Sequence, residues 1–251
     1  MDSGLFIGSV RLNRDEIPNP DSYPFNIPAL HDFTELKFQK PVTFLIGENG
    51  TGKSTLIEAI AVAAGLNPEG GTQNFNFSTK DTHSGLSEYL TLGRYGRPRT
   101  KFFLRAESFY NVASEIVRLS EDCAPGTLYH HYGGNLHECS HGESFLRLVQ
   151  NRFSSRGLYI LDEPEAALSP SRQMTLLCQI DNLVKAGSQF IIASHSPILI
   201  SYLSGEILDL NNHFRPIAYE DTEIYQTYKA YLDDPAAMQR RLFVDDSPSM
   251  L

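Results

Sequence analysis

Five short apolar runs punctuate the chain: Val42–Ile46, Phe102–Leu104, Leu158–Leu161, Gln189–Ala193 and Ile207–Leu210. Their hydrophobic positions are nearly continuous rather than alternating, the pattern of strands covered on both faces. Between them the spacing becomes helical. Leu56–Ala64 reads as one helix, with Gly65 as its stop. Glu107–Leu119 reads as a second, on the spacing of Phe109, Val112, Ile116, Val117 and Leu119. A third opens at Ser140 and carries Phe145, Leu146, Leu148 and Val149. A fourth starts at Ser169–Ser171, with Pro170 in its first turn, and presents Met174, Leu177, Ile180, Leu183 and Val184. Buried strands interleaved with amphipathic helices predict an α/β fold.

The flanks add less regular pieces. Leu5–Leu12 and Leu36–Phe38 predict an early β layer, separated by a turn-rich segment holding Pro18, Pro20, Pro24 and Pro28. Residues 67–101 and 121–139 are rich in turn formers, with Phe75 and Phe77 alternating with polar residues in the first. Phe214–Tyr219 predicts a last strand. Two short helices, Glu223–Leu232 and Pro235–Phe243, close the chain, and Tyr225, Tyr228, Tyr231 and Leu232 lie at the spacing of a core-facing stripe. We read residues 1–251 as a single domain with a partly helical subdomain over about 67–155 and a helical appendage over about 220–251.

The first apolar run leads directly into Gly47-Glu48-Asn49-Gly50-Thr51-Gly52-Lys53-Ser54-Thr55, which satisfies G-x-x-x-x-G-K-[ST]. A strand, a glycine loop and a helix in this order aim backbone N–H groups and the positive helix end at a phosphate. Gly47, Asn49, Gly50, Thr51, Gly52, Lys53, Ser54 and Thr55 are therefore the predicted phosphate-binding residues. Lys53 is expected to reach the β- and γ-phosphates, and the Ser54 hydroxyl to ligate Mg²⁺.

The run Leu158–Leu161 ends in Asp162-Glu163. A buried parallel strand delivers terminal carboxylates to the sheet edge where α/β proteins bind ligands. Asp162 is placed to hold Mg²⁺ and Glu163 to deprotonate an attacking water. His195, just past Gln189–Ala193, is placed to contact a γ-phosphate. Ser140 and Glu143 stand at capping-box spacing ahead of their helix. Tyr23, Phe25 and Phe33 are aromatic candidates both for stacking on adenine and for the core.

Composition narrows the partners. Lys and Arg number 21 against 30 Asp and Glu, a formal charge of −9, which does not indicate a general nucleic-acid surface. Arg94, Arg97, Arg99, Lys101 and Arg105 form a local basic group, read as a solvated loop. The three cysteines, Cys123, Cys139 and Cys178, are widely spaced and fit a reducing cytoplasm rather than a disulfide framework. His130, His131, His137, Cys139 and His141 cluster in sequence without a C-x-x-C pair to complete a zinc module. No signal peptide, membrane-spanning run, internal repeat or coiled-coil arm is expected.

The ordered set of P-loop, Ser140-His141-Gly142-Glu143, Leu161-Asp162-Glu163-Pro164 and Ser194-His195-Ser196-Pro197 resembles the ATP-binding-cassette (ABC) ATPases. It is most similar to their soluble branch, with its SMC-type, RecF-like and OLD-like members and small "AAA family" ATPases. The resemblance covers about 40 to 210. It implies a P-loop fold with a mixed central sheet flanked by helices and a helical signature subdomain. It implies ATP and Mg²⁺ as ligands, Asp162 as the Walker B aspartate, Glu163 as the catalytic base, and Ala166–Ser169 as the D-loop. His195 matches the switch histidine, and Ser140, Gly142 and Glu143 the signature that completes the site of a second copy in an ATP-dependent homodimer. Catalysis would then rest on Glu163, His195 and Lys53, with hydrolysis driving a protein partner in DNA repair or phage defence. A transporter subunit and a non-hydrolysing ATP-binding scaffold are the alternatives. Two departures stand out: His141 replaces the signature's first glycine, and no glutamine ends the Phe102 strand, where Glu107 lies nearby.

Overall fold

The computed structural model describes residues 4–71, 84–121 and 139–243. Phe75, Phe77, Cys123, His130, His131 and His137 lie outside the described residues. The elements run β1 (Ile7–Leu12), α1 (Pro28–His31), β2 (Glu35–Lys37), β3 (Val42–Ile46), α2 (Lys53–Ala63), β4 (Leu90–Arg94), β5 (Thr100–Arg105) and α3 (Phe109–Glu121). After them come α4 (His141–Arg152), β6 (Gly157–Asp162), α5 (Pro170–Lys185), β7 (Gln189–Ala193), α6 (Pro197–Ile200), β8 (Glu206–Asp209), β9 (Arg215–Pro216), α7 (Glu223–Asp233) and α8 (Pro235–Leu242).

The main sheet has the order β5-β6-β7-β3-β8-β9. Its first five strands are parallel and β9 is antiparallel to β8. A smaller antiparallel sheet, β2-β1-β4, forms a second layer. The main sheet is thus mixed and flanked by helices, as predicted.

The continuous apolar runs have a direct structural cause. Successive side chains of a strand point to opposite faces, and here both faces are covered. Phe44 of β3, Phe102 and Leu104 of β5, Tyr159 and Leu161 of β6, and Phe190 and Ile192 of β7 join a core with α3, α4 and α5. Their neighbours Leu45, Phe103, Ile160 and Ile191 face the other way, into a core with α2 and the small sheet. The two sheets are tied by Gln189. Fully buried, it accepts hydrogen bonds from the N–H groups of Phe6 (2.7 Å) and Ile7 (2.9 Å) and donates to the Ile7 carbonyl (2.8 Å).

Helix α2 ends at Gly65 as predicted. Gly65 sits at φ +81° and donates to the Val62 carbonyl, while Leu66 donates to that of Ala61, a left-handed stop that only glycine adopts without strain. Part of the basic group does local work at this end. Arg94 and Lys101 donate to the Ala63 and Ala64 carbonyls (2.8 and 2.5 Å) at the negative end of the helix. They are therefore not simply a solvated loop.

Three expectations need correction. The strand predicted over Phe214–Tyr219 shrinks to Arg215–Pro216, because His213 and Phe214 take left-handed backbone (φ 52° and 58°) that breaks the extended run. Ser140 caps α4 with its backbone alone. Its hydroxyl accepts from Arg172 and Glu143 pairs with Arg147 (2.9 Å), so the capping box does not form. The aromatic stripe of α7 is not core: the helix buries no residue, and Tyr228 is 52% exposed.

Phe44, fully buried at the centre of the sheet, measures how tightly this core is built. Phe44→Ala is expected to cost about 3–5 kcal/mol of unfolding free energy in a denaturant titration. A loss below about 1 kcal/mol would contradict the two-sided burial.

Candidate functional site

The parallel register brings the chemistry to one edge. β3 runs into Gly47, β5 ends at Arg105, β6 at Asp162, β7 leads to His195 and β8 ends at Asp209. Arg105 is the ladder partner of Asp162, which pairs in turn with Ala193 of β7. β7 lies between the P-loop strand and the acid strand, so His195 emerges between Lys53 and Glu163.

Gly50 and Gly52 take left-handed backbone (φ 84° and 96°). A Cβ on Gly52 would also come within 2.7 Å of Ile27, so the loop admits only glycine there. Helix α2 starts at the next residue. Lys53 is 5% exposed and curls over the loop, donating to the Gly47 and Glu48 carbonyls at 2.8 Å each. Burial lowers its pKa, against the opposing pull of Glu163 and Asp162. Ser54 Oγ donates to Asp162 Oδ1 at 3.1 Å. A hydroxyl and a carboxylate converging beside a phosphate cradle are hard oxygen donors of the kind that suit Mg²⁺. These residues fit the ion and the triphosphate that the sequence implies.

Asp162 is 3% exposed. Burial raises its pKa, and Arg105 works in the opposite direction. The Arg105 guanidinium donates to Asp162 Oδ2 (3.1 Å) and to Glu58 Oε2 on α2 (2.9 Å). Burial opposes the charge on Arg105, but Asp162 and Glu58 outweigh it and raise the pKa of the guanidinium. The place where the family resemblance puts a glutamine therefore holds an arginine, which clamps the acid strand to the P-loop helix.

Glu163 takes left-handed backbone at φ 49°. For a non-glycine residue this costs on the order of 1 kcal/mol. The turn leaves the Glu163 carboxylate partly exposed, with Oε1 3.7 Å from His195 Nε2. Burial and the nearby Lys53 lower the His195 pKa, which keeps the imidazole neutral at pH 7. Its Nε2 is enclosed and makes no hydrogen bond among the described residues. Glu165 holds the histidine loop from beneath, its Oε1 accepting the His195 backbone N–H.

Gly47, Asn49, Glu163 and His195 line one cavity of about 780 Å³. Ser54, Arg105, Glu107, His141, Asp162 and Glu163 line a second, of about 490 Å³. A third, of about 570 Å³, lies on the Gly50–Thr51 side of the loop, beside Pro28, Asn211 and His213. Thr55 follows within α2. Lys53, Ser54, Asp162, Glu163 and His195 are thus brought together. Ser140, Gly142 and Glu143 themselves line none of these three cavities, although His141 beside them lines the second. They sit at the start of α4 against the Ala166–Ser169 loop, where a Cβ on Gly142 would lie 2.6 Å from the Ala167 carbonyl. Two of the three adenine candidates are taken up by the core and the third is not. Phe25 and Phe33 are core residues and Tyr23 is 65% exposed.

Sequence reasoning missed Arg105, Glu165, Asn211 and the α7 residues. Arg105 reads in the sequence as one cation of a basic loop, and nothing singles out Glu165. No local signal marks Arg105, because strand register sets its partners.

Two family models match the chain. One, described as an AAA domain, covers residues 24–120. The other, described as "AAA domain, putative AbiEii toxin, Type IV TA system", covers residues 141–201. Among curated proteins, the cobalt import ATP-binding protein CbiO of Salmonella typhimurium is 26% identical over 183 residues, covering 66% of each chain. The chain thus spans about two thirds of that relative's length. Among solved structures, the SMC head domain from Thermotoga maritima is similar at 15% identity and a TM-score of 0.43, covering 81% of this chain and 95% of that one. CbiO1 from Clostridium perfringens is similar at 16% and 0.43, covering 94% and 99%.

Arg105 supplies the prediction of this site. Arg105→Gln leaves buried Asp162 without its counter-ion, and the variant is expected to lose about 3 kcal/mol of stability at pH 7. The folded-state pKa of Asp162 already stands above its ordinary value and rises further without Arg105. The loss should therefore shrink as pH falls through that raised pKa and protonates the acid. Thermal melts at pH 7 and pH 5 check this, and a loss that grows on acidification contradicts it. The two AAA-domain matches fall on the P-loop half and on the Asp162–His195 half of one continuous edge, and together they support a P-loop ATPase of the ABC type.

Proposed function

We propose that this chain binds ATP with Mg²⁺ and hydrolyses it at a site completed by a second copy arranged head to tail. The observation that carries the reading is the convergence of Lys53, Ser54, Asp162, Glu163 and His195 on the edge where α2 begins. The glycine loop and the α2 N-terminus cradle the phosphates, and Lys53 swings from the Gly47 and Glu48 carbonyls to the β- and γ-phosphates. Ser54 and Asp162 would hold Mg²⁺, which would supply positive charge against the triphosphate. Glu163 accepts the proton of a water whose oxygen forms the new bond to the γ-phosphorus. The bond to the β–γ bridging oxygen breaks, and ADP leaves with that electron pair. Neutral His195 offers Nε2–H to a γ-phosphate oxygen. Ser140, Gly142 and Glu143 serve the site of the other copy, where the α4 N-terminus favours an anion.

Hydrolysis would then open the pair and reset a protein partner in the cytoplasm, in DNA repair or phage defence. Nucleic acid is admitted as a further partner but is not indicated by the charge of −9. No helix among the described residues is long and apolar enough to cross a membrane. A second reading, the ATP-binding subunit of a transporter, draws on the match to the cobalt import protein. It predicts turnover that depends on a membrane partner.

Glu163→Gln is expected to lower turnover by at least about a hundredfold, the scale of general-base catalysis, while ATP binding persists. A phosphate-release assay of the purified chain with Mg²⁺ reads this. Wild-type-like hydrolysis by the variant would remove Glu163 from its role. No hydrolysis by the wild-type chain alone would favour the transporter subunit or a non-hydrolysing scaffold.

A further inference from the structure

The basic group around β4 and β5 is only partly explained by the end of α2. A cavity of about 760 Å³ opens beside it, where the two sheets meet. Its walls bring Arg94, Arg97 and Lys101 together with Tyr95, Phe6 and Leu158, and they include no carboxylate. Lys101 and Leu158 stand near the starts of β5 and β6, whose other ends carry Arg105 and Asp162. Ala64, at the close of α2, also faces it. The eleven residues of α2 separate this cavity from the P-loop by about 16 Å of helical rise. It is a different site from the catalytic edge.

The charge of the cavity says what can enter it. Arg94 and Lys101 spend donors on the Ala63 and Ala64 carbonyls, which satisfies hydrogen bonds without neutralising charge. The Arg97 side chain makes no hydrogen bond or ion pair among the described residues. Three positive charges thus share one cleft with no acid among its walls, on a chain whose formal charge is −9. Burial and the neighbouring Arg94 lower the pKa of Lys101, as crowded positive charge requires. An anion entering the cleft would relieve that repulsion. The remaining wall is flat and aromatic. Tyr95 is 72% exposed, yet it is held in place. Its N–H donates to the Phe6 carbonyl (3.0 Å), and its ring lies on Gly8, where a Cβ would meet Cε2 at 2.0 Å. A fixed, open ring beside free cations is a platform for a base joined to a phosphate.

We infer that this cavity is a second ligand site, remote from the P-loop, that takes a nucleoside monophosphate. Arg97 meets the phosphate with a charge-assisted fork, Arg94 and Lys101 add positive field, and the base stacks on Tyr95. Its size falls within the range of small-molecule clefts. The site depends neither on hydrolysis at the catalytic edge nor on the pairing of two copies.

The test is calorimetric titration of the full chain with adenosine 5′-monophosphate, inorganic phosphate and single-stranded decathymidine. The wild type is compared with Arg97→Glu, Tyr95→Ala and Lys53→Ala; Arg97 and Tyr95 are exposed, so their variants keep the fold. Arg97→Glu is expected to weaken adenosine monophosphate at least about tenfold, the scale of a charge-assisted contact. Tyr95→Ala should weaken it about tenfold, the scale of one stacked base, and leave inorganic phosphate unchanged. Lys53→Ala, which alters only the P-loop, should bind the monophosphate as the wild type does. Binding lost in Lys53→Ala and kept in Arg97→Glu would place the nucleotide on the P-loop and overturn the second site. Absence of binding by the wild type would overturn it as well. Inorganic phosphate bound as tightly as the nucleotide would overturn the nucleoside as ligand, and decathymidine bound tenfold tighter would overturn a free nucleotide in favour of a strand.

Discussion

The alignment of five parallel strand ends along one edge is the constraint on which everything else depends. Lys53, Arg105, Asp162, Glu163 and His195 are far apart in sequence and meet because β3, β5, β6 and β7 stop level with one another. The alignment is fixed from both sides of the sheet, since odd and even positions of each strand are packed into different cores. A one-residue slip of any strand would exchange those faces and move its terminal residue off the edge.

Arg105 turns that alignment into a coupled site. Its guanidinium touches Asp162 on one strand and Glu58 on the P-loop helix, so the carboxylate at the end of β6 and helix α2 are held together. A buried arginine between two carboxylates adds little net stability compared with an apolar core, but removing one member leaves charge stranded. The clamp therefore defines geometry more than it stabilises. Glu165 does similar work for the histidine loop, from a half-buried position under the His195 backbone.

Much of this was legible in the sequence, and the reason is locality. The P-loop is a strand, a turn and a helix start within nine residues, and its glycines are required by local backbone angles. Asp162-Glu163 and His195 were readable because each closes an apolar run whose character reports burial on both faces. Arg105 was not readable, because its partners are set by strand register 57 and 47 residues away. The capping box at Ser140 followed a sound local rule and lost to Arg172, brought in from α5. The α7 stripe had the spacing of a core face, but nothing in the spacing says which wall a helix faces. Here it faces a cavity at the active edge.

The most direct measurement is a crystal structure of the wild-type chain with Mg²⁺ and a non-hydrolysable ATP analogue. The account predicts the γ-phosphate in the P-loop, with Lys53 Nζ and His195 Nε2 both within hydrogen-bonding distance of its oxygens and Ser54 and Asp162 on the ion. A nucleotide seated away from the P-loop, or a γ-phosphate turned from Glu163 and His195, would contradict it.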